Sequence, residues 1–469
     1  MKGLEVSVTP ISKVLSSTST KRFDPEYFQK KHLADAKHAS GEHRRFAKLS
    51  DLGIDVDASA FYPSIEGYYG QGNFPFYRVG DVNSIVDVEG ATTIPETLCR
   101  DYPTLKSVSK GDLLFTKGGA IDRAGYVVTP GAVSRDLIFL RTSQLPTNEQ
   151  LFLFAYFRTG FFRRMLLRSS SQTAQPHLTI TLVRELPIFR GSESLTNAVG
   201  AAILSSYHHA DQALAAQKEA ERTLLMELGL ADWTPPSPLS YNARASDVIA
   251  AGRADAQYFR PLFAEVEQRL VGTGRAIELG TILATNARGR QPQYDDVGLP
   301  VINSKHVRTN RVVFDKSRFA SEAGSAVVIE KGDVLLNGTG VGTIGRAAPY
   351  LHDQRALPDN HVTVLRTAHV DPIYLAVFLN SPLGQWQIER RIKGSSGQIE
   401  LYPTDIAKIV FWDAPKDIQL RVRDAIQHAF DEERKSQGLL DAAMRAVEIA
   451  IEDGDTAALE FINHAESTR

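Results

Sequence analysis

The feature that most constrains this chain is that it says nearly the same thing twice. RFDPEYF at Arg22 to Phe28 returns as RADAQYF at Arg253 to Phe259, and GDLLFTKGGAIDRAGYV at Gly111 to Val127 returns as GDVLLNGTGVGTIGRAAPY at Gly332 to Tyr350. A helical stretch running into Ser169-Ser-Ser-Gln172 matches one running into Ser395-Ser-Gly-Gln398, and the partners are offset by 221 to 231 residues. Two copies of that length are a duplicated domain, too long and too few for a solenoid.

Each copy shows short β-type runs, among them FPFYRVGDV (Phe74 to Val82), GDLLFTK and DLIFLRT (Asp136 to Thr142), separated by glycine and proline. NEQLFLFAYFRTGFFRRMLLR, Asn148 to Arg168, has helical length with Asn148 as its cap. Strands and helices mixed without regular alternation predict an α+β class. After each copy comes a longer amphipathic pattern. Leu195, Val199, Ala202, Tyr207, Ala210, Leu214, Leu224 and Leu228 mark the first; Ile418, Val422, Ala425, Ala429, Leu440, Ala443, Val447 and Ile451 mark the second, with Gly438 interrupting it. Gly229 and the proline-rich DWTPPSPLS stop the first.

The expected order is therefore an N-terminal extension (1–21), a first mixed domain (22–190), a first long helix (191–230) and a proline-rich linker (231–252). A second mixed domain (253–413), a second long helix (414–455) and a C-terminal tail (456–469) follow. The two helices have a simple way to bury their stripes, as an antiparallel coiled-coil-like pair that sets the domains at opposite ends.

Composition excludes several chemistries. Cys99 is the only cysteine, so neither an intramolecular disulfide nor a cysteine zinc site exists. No apolar run reaches about 18 residues and no signal peptide opens the chain, so a soluble cytoplasmic protein with no membrane partner is expected. Lysine and arginine number 53 against 55 acids, a net of −2, so any nucleic-acid claim rests on local clusters.

Catalytic motifs are incomplete. GVGTIG at Gly340 to Gly345 spells a dinucleotide fingerprint, but the residues after it do not read as a helix and the first copy carries GGAIDRAG instead. A glycine-rich turn between two strands is the simpler reading. NFPF at Asn73 to Phe76 lacks one proline of a methyltransferase segment, no P-loop occurs, and no nuclease carboxylate set recurs. Asp112 and Asp333 recur after glycine, where Asp is a turn former.

What recurs is polar, glycine-rich and basic. Arg158, Arg163, Arg164, Arg168 and Arg184 fall in a stretch without acids, and Arg390, Arg391 and Lys393 precede GSSGQ. Such clusters suit phosphates, and Gln172, Gln175 and Gln398 suit an adenine edge. NSKHVRTNR (Asn303 to Arg311) adds Asn303, Lys305, His306, Arg308 and Arg311, and NARGRQPQY (Asn286 to Tyr294) adds Arg288 and Arg290, both in apparent loops.

The order domain, helix, domain, helix, with GD-[LV]-L…GRA and a Ser/Gly-Gln turn before LVRELPIF and IAKIVFW, resembles the specificity subunit of type I restriction-modification enzymes over essentially the whole chain. The resemblance implies a non-catalytic phage-defence protein whose two target-recognition domains each read half of a bipartite site in double-stranded DNA. The paired helices would act as a ruler and dock DNA methyltransferase (modification) subunits. It places S-adenosylmethionine on those subunits and ATP on restriction/translocase subunits, with no cofactor or metal in this chain. Its DNA-facing turns map onto Lys117, Gly118, Arg123, Ser170, Gln172 and His177, and onto Asn337, Thr339, Arg346, Lys393, Ser395 and Gln398. The net charge of −2 and the fewer glycines in GGAIDRAG depart from that picture, and imply that partners supply charge or that one domain binds weakly. The alternatives are a nucleotide-dependent enzyme built on GVGTIG, a nuclease, and a stand-alone DNA-binding or defence protein of the same fold.

Overall fold

The computed structural model describes residues 6–16, 23–39, 45–86, 88, 90–117, 123–169, 178–314, 317–322, 327–394 and 399–467. They form two compact units, Met1–Ala210 with Arg434–Arg469, and Asp211–Glu433.

The first unit is built on two sheets. In one, Val56–Asp57, Leu137–Leu140, Leu113–Thr116 and Ala124–Tyr126 lie side by side in that order, all antiparallel. LLFT and LIFL are buried at every position, which is why they read as continuous apolar runs rather than alternating ones. The other sheet runs Thr92–Ile94, Phe74–Tyr77, Gly131–Val133, Ser107–Val108, with Phe76 opposite Ala132 in a parallel pair. The strand after Phe74 ends at Tyr77, short of the expected Val82, because the Arg78 N–H donates to the Asp81 carboxylate at 2.8 Å and turns the chain.

The second unit repeats the plan. Its central sheet runs Thr285–Arg288, Val362–Arg366, Val334–Asn337, Ala347–Pro349. Its second sheet holds Phe319–Ala320, Leu299–Ile302 and Leu357–Pro358, with Val301 opposite Leu357 in the matching parallel pair. A small antiparallel pair closes each unit, Phe46–Lys48 with Pro187–Phe189 and Ala276–Glu278 with Val410–Trp412. The α+β class follows from these mixed layers.

One expected helix is two. Thr147–Phe157 ends and Gly160–Ser169 begins around Thr159-Gly160, where Thr159 Oγ1 accepts the Phe162 N–H at 3.1 Å and Glu448 accepts the Gly160 N–H at 2.7 Å. Asn148 lies inside the first of these helices rather than capping it, and its Nδ2 donates to Asn197 Oδ1 at 2.9 Å. The second unit has the same break, between Pro372–Asn380 and Pro382–Arg391, made by Pro382.

The long helices are Glu193–Glu227 and Lys416–Glu452. In the first unit Leu195, Val199, Ala202 and Ile203 share a core with Leu440, Ala443, Ala446, Val447 and Ala450. In the second, Ala220 and Leu224 share one with Ile418, Val422 and Ile426. Numbers rise along one helix as they fall along the other, so the pairing is antiparallel. Two details differ from the periodicity. The stripe passes through Ala213, Ala216 and Ala220 and leaves Leu214 in solvent. Gly438 does not interrupt its helix, because buried Leu439 and Leu440 beside it outweigh a glycine cost of about 1 kcal/mol. Gly229, at φ +65°, ends the first helix, with the Leu230 N–H returning to the Leu225 carbonyl at 2.8 Å. No helix among the described residues is long and apolar enough to cross a membrane.

Candidate nucleic-acid interface

The recurring motifs turn out to build the frame. Gly111 and Gly332 both take positive φ, at +92° and +96°, and let the next residue dive inward. Asp112 accepts the Ser109 and Ser143 N–H groups and pairs with Arg141 at 3.2 Å. Asp333 accepts the Glu330 N–H and pairs with Arg366. Both aspartates are buried, so the turn-forming reading of GD holds.

The RxDxxYF motif has a similar role. Asp24 and Asp255 each accept the N–H three residues on, from Tyr27 and Tyr258, both at 3.1 Å. An arginine from the last turn of the helix before the Ser-Gln segment then covers each tyrosine: Arg168 lies 4.1 Å from the Tyr27 ring centre and Arg390 lies 4.7 Å from that of Tyr258. The basic runs thus have partners within the frame. Arg168 is only 8 % exposed, with Nε on the Tyr27 carbonyl at 3.1 Å. Arg164 grips Asp35 with two bonds, Arg158 donates to the Ala124 carbonyl, and Arg184 to that of Val56. Arg390 and Arg391 share Glu267, and Lys393 pairs with Asp405 at 2.8 Å. Folding brings acids to several of these cations from over a hundred residues away, Asp35 to Arg164 and Glu267 to Arg390 and Arg391.

Turns at one end of the second unit's central sheet gather most of the remaining candidates. Asn337 ends its strand fully buried and donates Nδ2 to the Ser304 carbonyl at 3.0 Å, which makes it a tie between two turns rather than a surface contact. Asn303 donates its N–H to His306 Nδ1 at 3.1 Å, so the buried His306 shapes the turn and Lys305 and Arg308 project from it exposed. Arg308 and Arg311 lie opposite each other in a short antiparallel pair, Val307–Arg308 with Arg311–Val312, rather than in the expected loop, and Arg311 is committed to Glu433. Thr339 Oγ1 lies 2.6 Å from His361 Nδ1, and Arg346 is half-buried in the turn that follows. Asn286 and Arg288 are in a strand, not a loop. Arg288 reaches the Gly338 carbonyl at 3.3 Å and Glu400 at 3.5 Å, and the Tyr402 hydroxyl, with Arg288 after it, holds the Glu400 carboxyl below its usual range.

In the first unit Lys117 is half-buried and Arg123 exposed, at the matching end of the sheet. Gly118, Ser170, Gln172, His177, Ser395 and Gln398 lie outside the described residues.

GVGTIG connects two antiparallel strands, Val334–Asn337 and Ala347–Pro349, with Gly340, Gly342 and Gly345 all at positive φ. No helix N-terminus follows it, so the element that holds a pyrophosphate in a dinucleotide fold is missing at this place.

One element escaped sequence reading. Ser134-Arg135-Asp136 and Asp359-Asn360-His361 occupy the same turn of their units, leading from the second sheet into the central one. The first residue donates its N–H to Tyr77 or Ile302, at 2.9 Å in each. The third accepts from Lys117 or Gly338, at 2.8 Å in each. Burial pushes the Asp359 carboxyl up, against the pull of the His361 N–H that it accepts at 2.9 Å. The available signal was a polar triple flanked by GAV and LIFL in one copy and by ALP and VTVL in the other.

Like frames that carry unlike polar turns define a duplicated two-unit protein. Solved structures that resemble this chain include a type I restriction-modification S subunit from M. genitalium, 12% identical, covering 90% of this chain and 97% of that one at a TM-score of 0.37. A chain from the type I R-M system is 14% identical, covering 90% and 97% at 0.30, and the HsdS subunit from Thermoanaerobacter tengcongensis is 15% identical, covering 87% and 97% at 0.27. Superpositions this loose transfer neither residues nor geometry. No family model matches the chain and no curated protein matches it.

Proposed function

We propose that this chain is the DNA-recognition subunit of a type I restriction-modification complex. Each unit reads one half of a bipartite site in double-stranded DNA, and the long helices set the gap between the halves and dock DNA methyltransferase subunits. The chemistry belongs to the partners, with S-adenosylmethionine on the methyltransferase and ATP on restriction/translocase subunits. The observation that carries this reading is the pairing of a repeated frame with unlike turns: the Asp112–Arg141 and Asp333–Arg366 anchors recur, while the turns they support share few side chains. A protein that reads two different short sequences with one fold needs that division.

Exposed Lys305 and Arg308 in one unit and exposed Arg123 in the other provide phosphate contacts that position the duplex, and Lys117, Thr339, Arg346 and Lys393 border the same turns. The test is reconstitution. The full chain mixed with a methyltransferase subunit should give adenine methylation confined to one bipartite sequence, read by methylation sequencing. Equal methylation from the methyltransferase subunit without this chain would sink the reading.

A further inference from the structure

The turn shared by Ser134-Arg135-Asp136 and Asp359-Asn360-His361 is held by the same backbone bonds in both units, and in the second the Asp359 carboxylate also accepts the His361 N–H. Besides the two bonds already described, the residue after each triple donates its N–H to the carbonyl of the triple's first member, Leu137 to Ser134 and Val362 to Asp359, at 3.2 Å in each. Three equal bonds fix one path for two side-chain sets that agree at no position. A turn whose path is set by shared backbone bonds leaves its side chains free to differ.

Those side chains are poorly explained by stability. Ser134 Oγ and Asn360 Oδ1 are buried polar atoms without a hydrogen-bond partner. Nearby, Asn303 Oδ1 and Asn337 Oδ1 are in the same condition. Buried polar groups are rarely left so unless something other than folding calls for them.

Arg135 shows what that is. Its guanidinium lies 5.3 Å from the ring centre of Tyr62 and 5.9 Å from that of Phe61, which is 76 % exposed. It forms no ion pair among the described residues, unlike Arg164, Arg184, Arg390 and Arg391. Stacking orders the guanidinium plane and leaves its N–H edge for a ligand, and that fork matches the O6 and N7 acceptors of guanine in a major groove. The residue also lines a cleft of about 600 Å³ with Tyr62, Arg78, Asp81, Ser134 and Asp136. In the second unit the matching places hold Asn360 and His361, the latter steadied through Nδ1 by Thr339.

We propose that this turn is the base-reading element of each unit, and that Arg135 reads a guanine in the half-site of the first. The inference rests on the DNA-recognition reading above and adds the residues that set specificity.

The experiment uses the full chain reconstituted with its methyltransferase subunits, as wild type, Arg135→Asn and Arg135→Lys, with thermal unfolding to check the fold. Methylation sequencing should show one base pair of one half-site relaxed in both variants, on the order of a 10- to 100-fold loss of preference, with the other half-site and the gap unchanged. Lysine keeps the charge and loses the fork, so its relaxation separates base reading from phosphate contact. An unchanged site in both variants, or weaker methylation with the same sequence preference, overturns the inference and leaves the DNA-recognition reading standing. A wild-type complex without any sequence preference overturns both.

Discussion

Arg366 holds Asp333 with two bonds, Nε to Oδ1 at 2.7 Å and Nη2 to Oδ2 at 2.8 Å, and Arg141 meets Asp112 at the same place in the first unit. Each arginine stands at the end of a central strand, and each aspartate at the head of its neighbour. The pair locks the register of the two innermost strands, and thereby the turns at their far ends. Arg366→Met leaves the Asp333 carboxylate buried without its cation. The cost should be about 2–3 kcal/mol, less than for a fully buried pair because the guanidinium keeps part of its surface in water. Urea unfolding should show that loss in the second unit's transition.

Arg168→Ala should act on stability and not on specificity. The variant loses the cation over the Tyr27 ring and the bond to the Tyr27 carbonyl, together worth about 1–2 kcal/mol. A lower melting temperature with an unchanged methylated sequence is the expected result. A changed sequence would return Arg168 to the DNA surface.

The glycines of GVGTIG should answer to backbone strain. A Cβ added at Gly342 meets nothing within 4 Å, so Gly342→Leu should cost little beyond the price of φ +77°, about 1–2 kcal/mol. At Gly345 an added Cβ would also come within 3.1 Å of Ile388 and Gln385, so Gly345→Leu should cost more. Calorimetry with NAD should detect no binding to the wild-type chain. Binding that Gly342→Leu abolishes would restore the dinucleotide reading.

Acid should weaken the first unit through His32. Burial, followed by the charges of Lys31, Arg168 and Arg164, lowers its pKa below 6.5, with Asp35 pulling the other way. The folded imidazole therefore resists a proton that the unfolded chain accepts. Stability is full above about pH 6.5 and is lost as the pH falls from there toward the folded value. Unfolding midpoints measured between pH 7 and pH 5 should drop less in His32→Gln than in the wild type.

Legibility of the sequence depended on the reach of each interaction. The duplication was readable because its anchors are local: glycine at positive φ, aspartate closing its own turn, and apolar runs buried on both faces. The broken helix was not, because the Gly160 N–H finds its acceptor in Glu448, 288 residues away. The partners of the basic runs were hidden for the same reason, since Glu267 lies 123 residues before Arg390. The crossover turn was invisible because Ser-Arg-Asp and Asp-Asn-His agree at no position, and only their backbone bonds show them to be one element.

Cations tied inside the protein and cations left outside should separate in a salt titration. Lys305 and Arg308 are exposed and form no ion pair among the described residues, whereas Arg390 and Arg391 are both bound to Glu267. A phosphate contact releases counterions from DNA, so losing one lowers the slope of log affinity against log salt by about one and weakens all sequences alike. Lys305→Ala and Arg308→Ala should each do this in the assembled complex. Arg391→Ala should leave the slope unchanged and instead remove one of the two cations on Glu267, with loss of stability. A slope that responds to Arg391 and not to Lys305 or Arg308 would place the DNA contact at the end of the second unit's helix Pro382–Arg391 instead.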